Sequence, residues 1–160
     1  IEAHTGPLAR GDLEDAPYTA YVAYSADPRA TRPAGHLAHF GGQIALADYA
    51  VEVSDQEWRV RLEWEALASP LENYTVFVHL HDGERVVDQK DGEPAGGYYP
   101  TRLWRSGDVV VDTYVLEPPE KWKDKPQLIV GLYVWPTMER LEAVTPSGEP
   151  LGDELVLPNQ

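Results

Sequence analysis

The chain has 160 residues, of which 27 are acidic and 13 are basic, so its formal net charge is −14 and its isoelectric point lies near 4.6. The length accommodates one domain with a substantial core. The charge makes nucleic acid and anionic membrane surfaces poor partners, because both would repel this protein. The absence of cysteine excludes disulfides, thiolate metal sites and thiol nucleophiles.

The first residues have the composition of a connection. Residues 1–17 contain prolines, glycines and acidic side chains without a sustained hydrophobic period, which predicts a linker or surface arm, with a single domain at residues 18–160. No apolar run approaches the roughly 20 residues that cross a bilayer. Because the chain begins at Ile1 and contains one methionine, Met138, we expect a soluble piece of a longer polypeptide.

Short stretches of alternating apolar and polar residues predict β-strands in the first half of the chain. Residues 18–25 predict a strand at a sheet edge. Residues 43–53 predict a strand whose alternation slips near Ala47 and Asp48, as a β-bulge would cause. Residues 58–64 alternate most clearly, with four apolar side chains on one face and charged residues on the other.

The central part of the predicted fold is residues 74–116. Residues 74–81 predict a half-buried strand, the dipeptide Asp82-Gly83 favours a tight hairpin, and residues 85–89 return as the partner strand. Residues 91–107 are too rich in glycine and proline for regular structure, yet they carry three large aromatic residues and two arginines. We therefore expect a packed loop, followed by a strand at residues 108–116.

The remaining residues predict further strands at 127–134, 140–144 and 154–157. The first of these is nearly continuous in apolar character and is therefore expected at the centre of a sheet. No segment shows helical spacing over three turns. About eight or nine short strands predict an all-β fold, an antiparallel sandwich of two sheets with a jelly-roll-like topology.

Metal binding has two candidate sites in the sequence. His79 and His81, at i and i+2, project from the same face of a strand, but no third histidine or cysteine has ligand spacing, which disfavours zinc. The acidic turn at residues 88–93 could hold a structural calcium ion through Asp88 and Asp91. Lys90 interrupts these ligands, so an ordinary acidic turn is the alternative.

Asp112 is the most unusual carboxylate, since valines flank it on a strand that we expect to be buried. A buried carboxylate needs a partner, which Arg102, Arg105 or a backbone amide of residues 91–107 would supply, and Asp112 would then hold this loop to the sheet. An enzymatic alternative pairs Asp91 with Asp112 as the two acids of a glycoside-active site.

The aromatic residues suggest carbohydrate binding, because aromatic rings stack on the C–H faces of sugars and neighbouring polar groups bond the hydroxyls. Tyr99, Arg102, Trp104 and Asp112 would form or support such a site. Trp122 lies between two lysines and is the candidate for an exposed ring. A third possibility is a structural module that packs on its parent protein or another partner through Tyr133, Trp135 and neighbouring apolar residues.

An ordered set of residues carries a family resemblance. The set is residues 74–80, Gln89, Asp91, Pro94, Gly97, the tripeptide Tyr99-Pro100-Thr101, Trp104, Gly107, Asp112, residues 130–133, and Arg140-Leu141. Over roughly residues 40–157 the chain resembles the soluble C-terminal β-sandwich domain of bacterial polytopic membrane proteins of the dolichyl-phosphate-mannose-protein mannosyltransferase-like (lipid-linked glycosyltransferase) type.

The resemblance implies a β-sandwich on the extracytoplasmic face of a bacterial membrane, tethered through a segment outside this chain. Glycosyltransferase chemistry in such proteins belongs to the membrane part, so the resemblance transfers no catalytic residue and no cofactor to this chain. It implies a domain without its own reaction centre and leaves open whether that domain binds a glycan, a protein or neither. Our first hypothesis is a non-catalytic accessory domain that lies beside its parent membrane domain and recognises a glycan or lipid-linked sugar.

Overall fold

A computed structural model describes residues 21–23 by their backbone and residues 35–158 in full. The predicted linker at residues 1–17 lies outside the described residues. Within them the chain forms twelve β-strands and two short 3₁₀ turns, Pro94–Gly97 and Thr101–Leu103. The strands are β1 (Tyr21–Ala23), β2 (Ala38–Phe40), β3 (Ile44–Val53), β4 (Trp58–Ala66), β5 (Tyr74–His81), β6 (Val86–Gly92), β7 (Val109–Leu116), β8 (Gln127–Val134), β9 (Glu139–Arg140), β10 (Ala143–Val144), β11 (Pro150–Gly152) and β12 (Leu155–Leu157).

The strands form two antiparallel sheets, which confirms the predicted sandwich. One sheet has the order β1-β7-β4-β3-β2-β10-β11, and the other has the order β12-β8-β5-β6 with β9 also paired to β8. β4 pairs with β7 while β5 pairs with β8, as strands B and E and strands C and F pair in immunoglobulin-like sandwiches. These connections differ from those of the jelly roll favoured by the sequence, because alternation identifies strands and their faces but not their partners.

The sequence predicts fewer strands than the structure contains, because the additional strands are very short. β2 and β11 have three residues each. The single strand predicted at residues 140–144 is divided in two, since β9 pairs with β8 in one sheet and β10 pairs with β2 in the other. The chain therefore passes from one sheet to the other between Arg140 and Ala143.

Three local predictions are confirmed. The register of β3 against β4 shifts between Leu46 and Asp48, so the bulge lies at Ala47. β8 lies inside its sheet, and β1 lies at a sheet edge.

The packed core fills the space between the sheets; its largest fully buried side chains include Trp64, Trp104, Phe40, Leu62, Leu80, Leu116 and Leu132.

A second, smaller apolar cluster lies on the opposite face of the β5-β8 sheet. Phe77, Ile129 and Tyr133 are buried there. The Arg140 guanidinium lies 4.4 Å from the centre of the Phe77 ring, a cation–π contact, and its Nη1 is 2.9 Å from Glu154 Oε2. The Phe77 ring covers Gly131, because a Cβ atom on Gly131 would lie 2.3 Å from Phe77 Cζ.

We expect Gly131→Ala to lower the free energy of unfolding by about 1–3 kcal/mol, since the buried Phe77 ring has little room to move. Gly92→Ala is the matched control: its Cβ would meet no atom within 4 Å, so its effect should stay within about 0.5 kcal/mol. Urea unfolding of both variants measures the difference. Equal stabilities would show that the Phe77 ring yields to the added methyl group.

Candidate recognition site

The loop of residues 93–108, called the 93–108 loop below, is fastened to the sandwich by Asp112. This side chain lies on the inner face of β7 and is 3 % exposed. Its Oδ2 accepts a hydrogen bond of 3.0 Å from the Ala95 amide and another of 3.0 Å from the Tyr114 hydroxyl. The prediction that a backbone amide of the loop pairs with Asp112 is therefore confirmed. The alternative partners, Arg102 and Arg105, have exposed side chains.

The Asp112 bond also stabilises an uncommon backbone conformation. Ala95 has a φ angle of 57°, in the left-handed region that residues with a Cβ rarely adopt. Burial raises the pKa of the Asp112 carboxyl to about 6, although the hydrogen bonds from Ala95, Tyr114 and Thr113 oppose this shift. Asp112 thus holds a strained turn in place at an electrostatic cost.

Thr101 provides a second attachment of the loop, on the side of β5. Its side chain is fully buried, and its hydroxyl donates to the Glu72 carbonyl at 2.6 Å and accepts from the Tyr74 amide at 2.8 Å. One hydroxyl therefore joins the loop to the beginning of β5. The sequence analysis did not identify Thr101 as an attachment.

Tyr99 and Trp104 hold the loop together internally. The buried Trp104 indole donates to the Tyr99 carbonyl at 2.9 Å, and the two rings stack with centroids 6.4 Å apart. The Tyr99 hydroxyl donates to Asp108 Oδ2 at 2.7 Å, which also accepts the Arg105 amide at 2.9 Å. Both aromatic residues were predicted to form or support a binding site. In the structure both side chains bond within the loop, and the existence of a binding site stays a prediction.

The same loop exposes a different set of side chains. Tyr98 and Leu103 are 49 % and 60 % exposed. The side chains of Arg102 and Arg105 are exposed and form no ion pair with any residue that the structure describes. The sequence indicated both Tyr98 and Tyr99 as aromatic candidates for sugar binding, but Tyr99 and Arg102 were chosen as site residues and Tyr98 was not, because only the fold reveals which of the two adjacent tyrosines turns outward.

Two other exposed apolar side chains lie at this end of the sandwich. The Arg102 amide donates a hydrogen bond of 3.3 Å to Asn73 Oδ1, which places the loop beside the start of β5. Tyr74, which follows Asn73, is the register partner of Val134, so the end of β8 lies there as well. Leu71 and Trp135 lie close to these two positions in the chain and are 72 % and 69 % exposed. The 93–108 loop and these residues therefore form one surface, called the loop-end surface.

A cleft of about 240 Å³ opens where the loop begins. It lies between the end of β6, the Pro94–Gly97 turn and β7, and its lining includes Lys90, Asp91, Glu93, Asp112 and Tyr114. The two carboxylates of the predicted glycoside-active pair thus border one cleft. The two carboxylates, however, point in different directions. Asp91 Oδ1 lies 3.5 Å from His79 Nε2, on the same face of its sheet as Phe77, while the Asp112 side chain points into the space between the two sheets.

Asp88 and Asp91, the predicted calcium ligands, point to opposite faces of β6. Asp88 is the register partner of Leu80, which belongs to the main core, and Asp91 is the partner of Phe77 in the outer cluster. Asp88 Oδ2 accepts the Glu117 amide at 2.8 Å. The two carboxylates do not point to the same face, because i and i+3 positions alternate across a strand.

Both residues of the predicted histidine pair, His79 and His81, lie in β5. His79 lies beside Asp91, and burial lowers its pKa despite that carboxylate. Its ring packs against Phe77, with centroids 4.9 Å apart. Among residues 35–158, no group of three or more histidine, aspartate or glutamate side chains is placed to hold a metal ion.

Trp122, predicted to be an exposed ring, is half-buried. It packs against Trp58, with ring centroids 5.6 Å apart, and contacts the main core. Trp122 therefore closes the end of the sandwich opposite to Tyr74. Trp135 takes the role of the exposed tryptophan, at the turn between β8 and β9. Tyr133, named with Trp135 as a packing residue, is buried in the outer cluster.

The sequence did not predict a cluster that His36, His39 and Glu65 form in the structure. His36 Nδ1 lies 2.9 Å from His39 Nε2, and His36 Nε2 lies 2.9 Å from Glu65 Oε2. Glu65 is 4 % exposed. The spacing of His36 and His39 was a visible signal, but Glu65 joins them only through the register of β2, β3 and β4.

Comparison with known proteins adds no assignment: no protein-family model and no curated protein matches the chain. Within the part of the chain that the structure describes, no helix is long and apolar enough to cross a membrane. Any function is therefore proposed from the geometry above and from the resemblance described with the sequence.

Thr101 offers a direct test of how the loop is attached. Thr101→Val leaves the buried Tyr74 amide without its acceptor, so we expect a loss of about 1–3 kcal/mol in the free energy of unfolding. Thr101→Ser keeps the hydroxyl and should retain most of the stability. Urea unfolding compares the two variants, and equal losses in both would mean that the hydroxyl contributes no more to stability than the methyl group does.

Asp112 predicts a pH dependence of stability. Its pKa is about 6 in the folded protein and about 3.9 in an unfolded chain, so the folded state holds the proton more tightly. The unfolding free energy should therefore fall by roughly 2 to 3 kcal/mol as the pH rises from 4 to 7.5. Asp112→Asn should lack this contribution when both proteins are unfolded in urea at the two pH values. Parallel pH profiles would contradict it.

Proposed function

We propose that this sandwich is a non-catalytic extracytoplasmic accessory domain of a membrane-anchored glycosyltransferase-like protein. In this proposal the loop-end surface recognises a glycan or a lipid-linked sugar. The observation that carries it is the contrast within the 93–108 loop: Ala95, Thr101 and Trp104 are fixed by buried hydrogen bonds, while Tyr98 and Arg102 face solvent.

A loop built in this way is suited to binding. A loop ordered before its ligand arrives loses less conformational entropy on binding than a mobile one. Binding residues commonly lie on loops that a rigid scaffold positions. The fixed backbone of the 93–108 loop meets both conditions, and its internal contacts use none of the four exposed side chains.

The exposed side chains define the class of ligand. Tyr98 and Trp135 offer ring faces that can stack on the C–H faces of a sugar. Arg102 and Arg105 supply forked N–H donors, which suit phosphate, carboxylate and vicinal hydroxyl groups. We therefore place a sugar that bears an anionic group, such as the phosphate of a lipid-linked sugar, ahead of a neutral glycan.

The family resemblance supports the same proposal from another direction. Several residues that carry it, Thr101, Trp104 and Asp112 among them, hold the 93–108 loop in position. Within the loop, the residues that carry the resemblance belong to its framework, and the exposed residues Tyr98, Arg102 and Leu103 are not among them.

The second candidate function is glycoside hydrolysis with Asp91 and Asp112. One observation favours it: Asp112 has a pKa of about 6, as a general acid requires, and borders a cleft with Asp91. Against it, Asp112 is 3 % exposed and already accepts bonds from Ala95 and Tyr114. We rank hydrolysis below recognition for this reason.

A thermal-shift series with neutral oligosaccharides, uronic-acid oligosaccharides and sugar 1-phosphates tests the proposal. A ligand at a hundred times its dissociation constant adds about 2.7 kcal/mol, or roughly 5 to 10 °C in a domain of this size. We expect such a shift with the anionic sugars and its loss in Arg102→Ala and Tyr98→Ala. Val156→Ala, at an exposed position on β12, is the control that should keep the shift.

The same series separates the alternatives. Calcium and EDTA are included, and a calcium shift without a sugar shift would replace recognition by an ion site. Release of sugar from aryl glycosides by wild type but not by Asp112→Asn would establish hydrolysis. If no sugar shifts the melting temperature, the loop-end surface does not bind sugars, and the structural-module hypothesis takes its place.

A further inference from the structure

The histidine cluster lies on the outer face of the larger sheet, where its Glu65 is the register partner of Val109, the first residue after the 93–108 loop. His39 belongs to β2 and Glu65 to β4, and both are register partners of Ala45 on β3. Because Ala45 carries only a methyl group, it leaves space above the sheet between them. His36, which precedes β2, fills that space and contacts both neighbours.

The two hydrogen bonds among these three side chains determine which ring nitrogen carries each proton. Ionised Glu65 only accepts, so His36 Nε2 carries the proton of their 2.9 Å contact. His36 Nδ1 then presents a lone pair toward His39 Nε2, 2.9 Å away. The two ring nitrogens face each other with one proton between them, which is donated by neutral His39.

We infer that His36 Nδ1 and His39 Nε2 form a binding site for a divalent transition-metal ion of the zinc class, with Glu65 orienting His36 from behind. Two nitrogens bound tetrahedrally to zinc lie about 3.3 Å apart, given Zn–N bonds of about 2.0–2.1 Å. The observed pair therefore has to open only slightly. A carboxylate that accepts the remote N–H of a ligating histidine is the usual second partner of such sites.

The proton balance of binding is simple. The ion occupies the position of the shared proton, and His39 carries its proton on Nδ1 instead of Nε2, so both histidines remain neutral and no net proton is released. Two protein nitrogens leave the remaining coordination positions to water or to a ligand from outside.

The ligand atoms select the ion. Imidazole nitrogen suits Zn²⁺, Co²⁺, Ni²⁺ and Cu²⁺, whereas Ca²⁺ and Mg²⁺ require oxygen. The net charge of −14 raises the local concentration of any cation. The inference does not rest on the proposed sugar recognition, because none of the three residues lies in the 93–108 loop or the cleft.

Isothermal titration of the full chain with zinc chloride is the test. We expect one equivalent to bind, binding to be lost in His39→Gln, and affinity to fall about 10- to 100-fold in Glu65→Gln. The double variant His79→Gln, His81→Gln is the matched control on the other sheet and should bind as wild type does. Calcium chloride should give no binding signal at this site.

The variants are first checked for an unchanged melting temperature without metal. If His39→Gln fails to fold, ring resonances of the wild type decide: zinc must shift those of His36 and His39 and leave those of His79 and His81 in place. No zinc binding, or binding that the His79 and His81 variant abolishes, overturns the proposal.

Discussion

The arrangement of the 93–108 loop depends on one buried carboxylate. Asp112 receives the Ala95 amide across the gap between β7 and the loop, and without that acceptor the left-handed turn at Ala95 would have no compensation for its strain. The raised pKa shows the cost, since burial disfavours the ionised group. A domain that keeps such a contact gains a loop with a defined conformation.

The two ends of the sandwich differ in what they expose. At the loop end, Leu71, Leu103 and Trp135 face solvent beside two arginines. At the other end, Trp122 covers Trp58 and the surrounding loop is polar. Three exposed lysines, Lys121, Lys123 and Lys125, lie around Trp122, so the exposed cations of the chain are not confined to the loop end.

The strands were predictable from the sequence wherever apolar residues alternate over seven or more positions. β4 and β7 alternate inward and outward along their length, and the slip at Ala47 marked the bulge. β2 and β11 were not predicted, because three residues cannot establish a period. Connectivity was not predictable either, since the pairing of β4 with β7 leaves no trace in local pattern.

The candidate site was predictable only where burial alone decides the role of a residue. Asp112, surrounded by valines, had to find a partner, and the structure supplies a loop amide. The opposite faces of Asp88 and Asp91 depend on strand register, and the half-buried state of Trp122 depends on Trp58, which is distant in sequence. Such relations exist only in three dimensions.

The passage of the chain between the sheets after Arg140 has a consequence for association. β9 and β12 both add to β8, and β10 adds to β2, so the segment from Glu139 to Leu157 supplies hydrogen-bonding neighbours to strands in both sheets. Without that segment, β2 and β8 would each present a row of unpaired amides and carbonyls, the surface through which sheets of different molecules join into aggregates. The last strands therefore protect one edge of each sheet from pairing with another molecule.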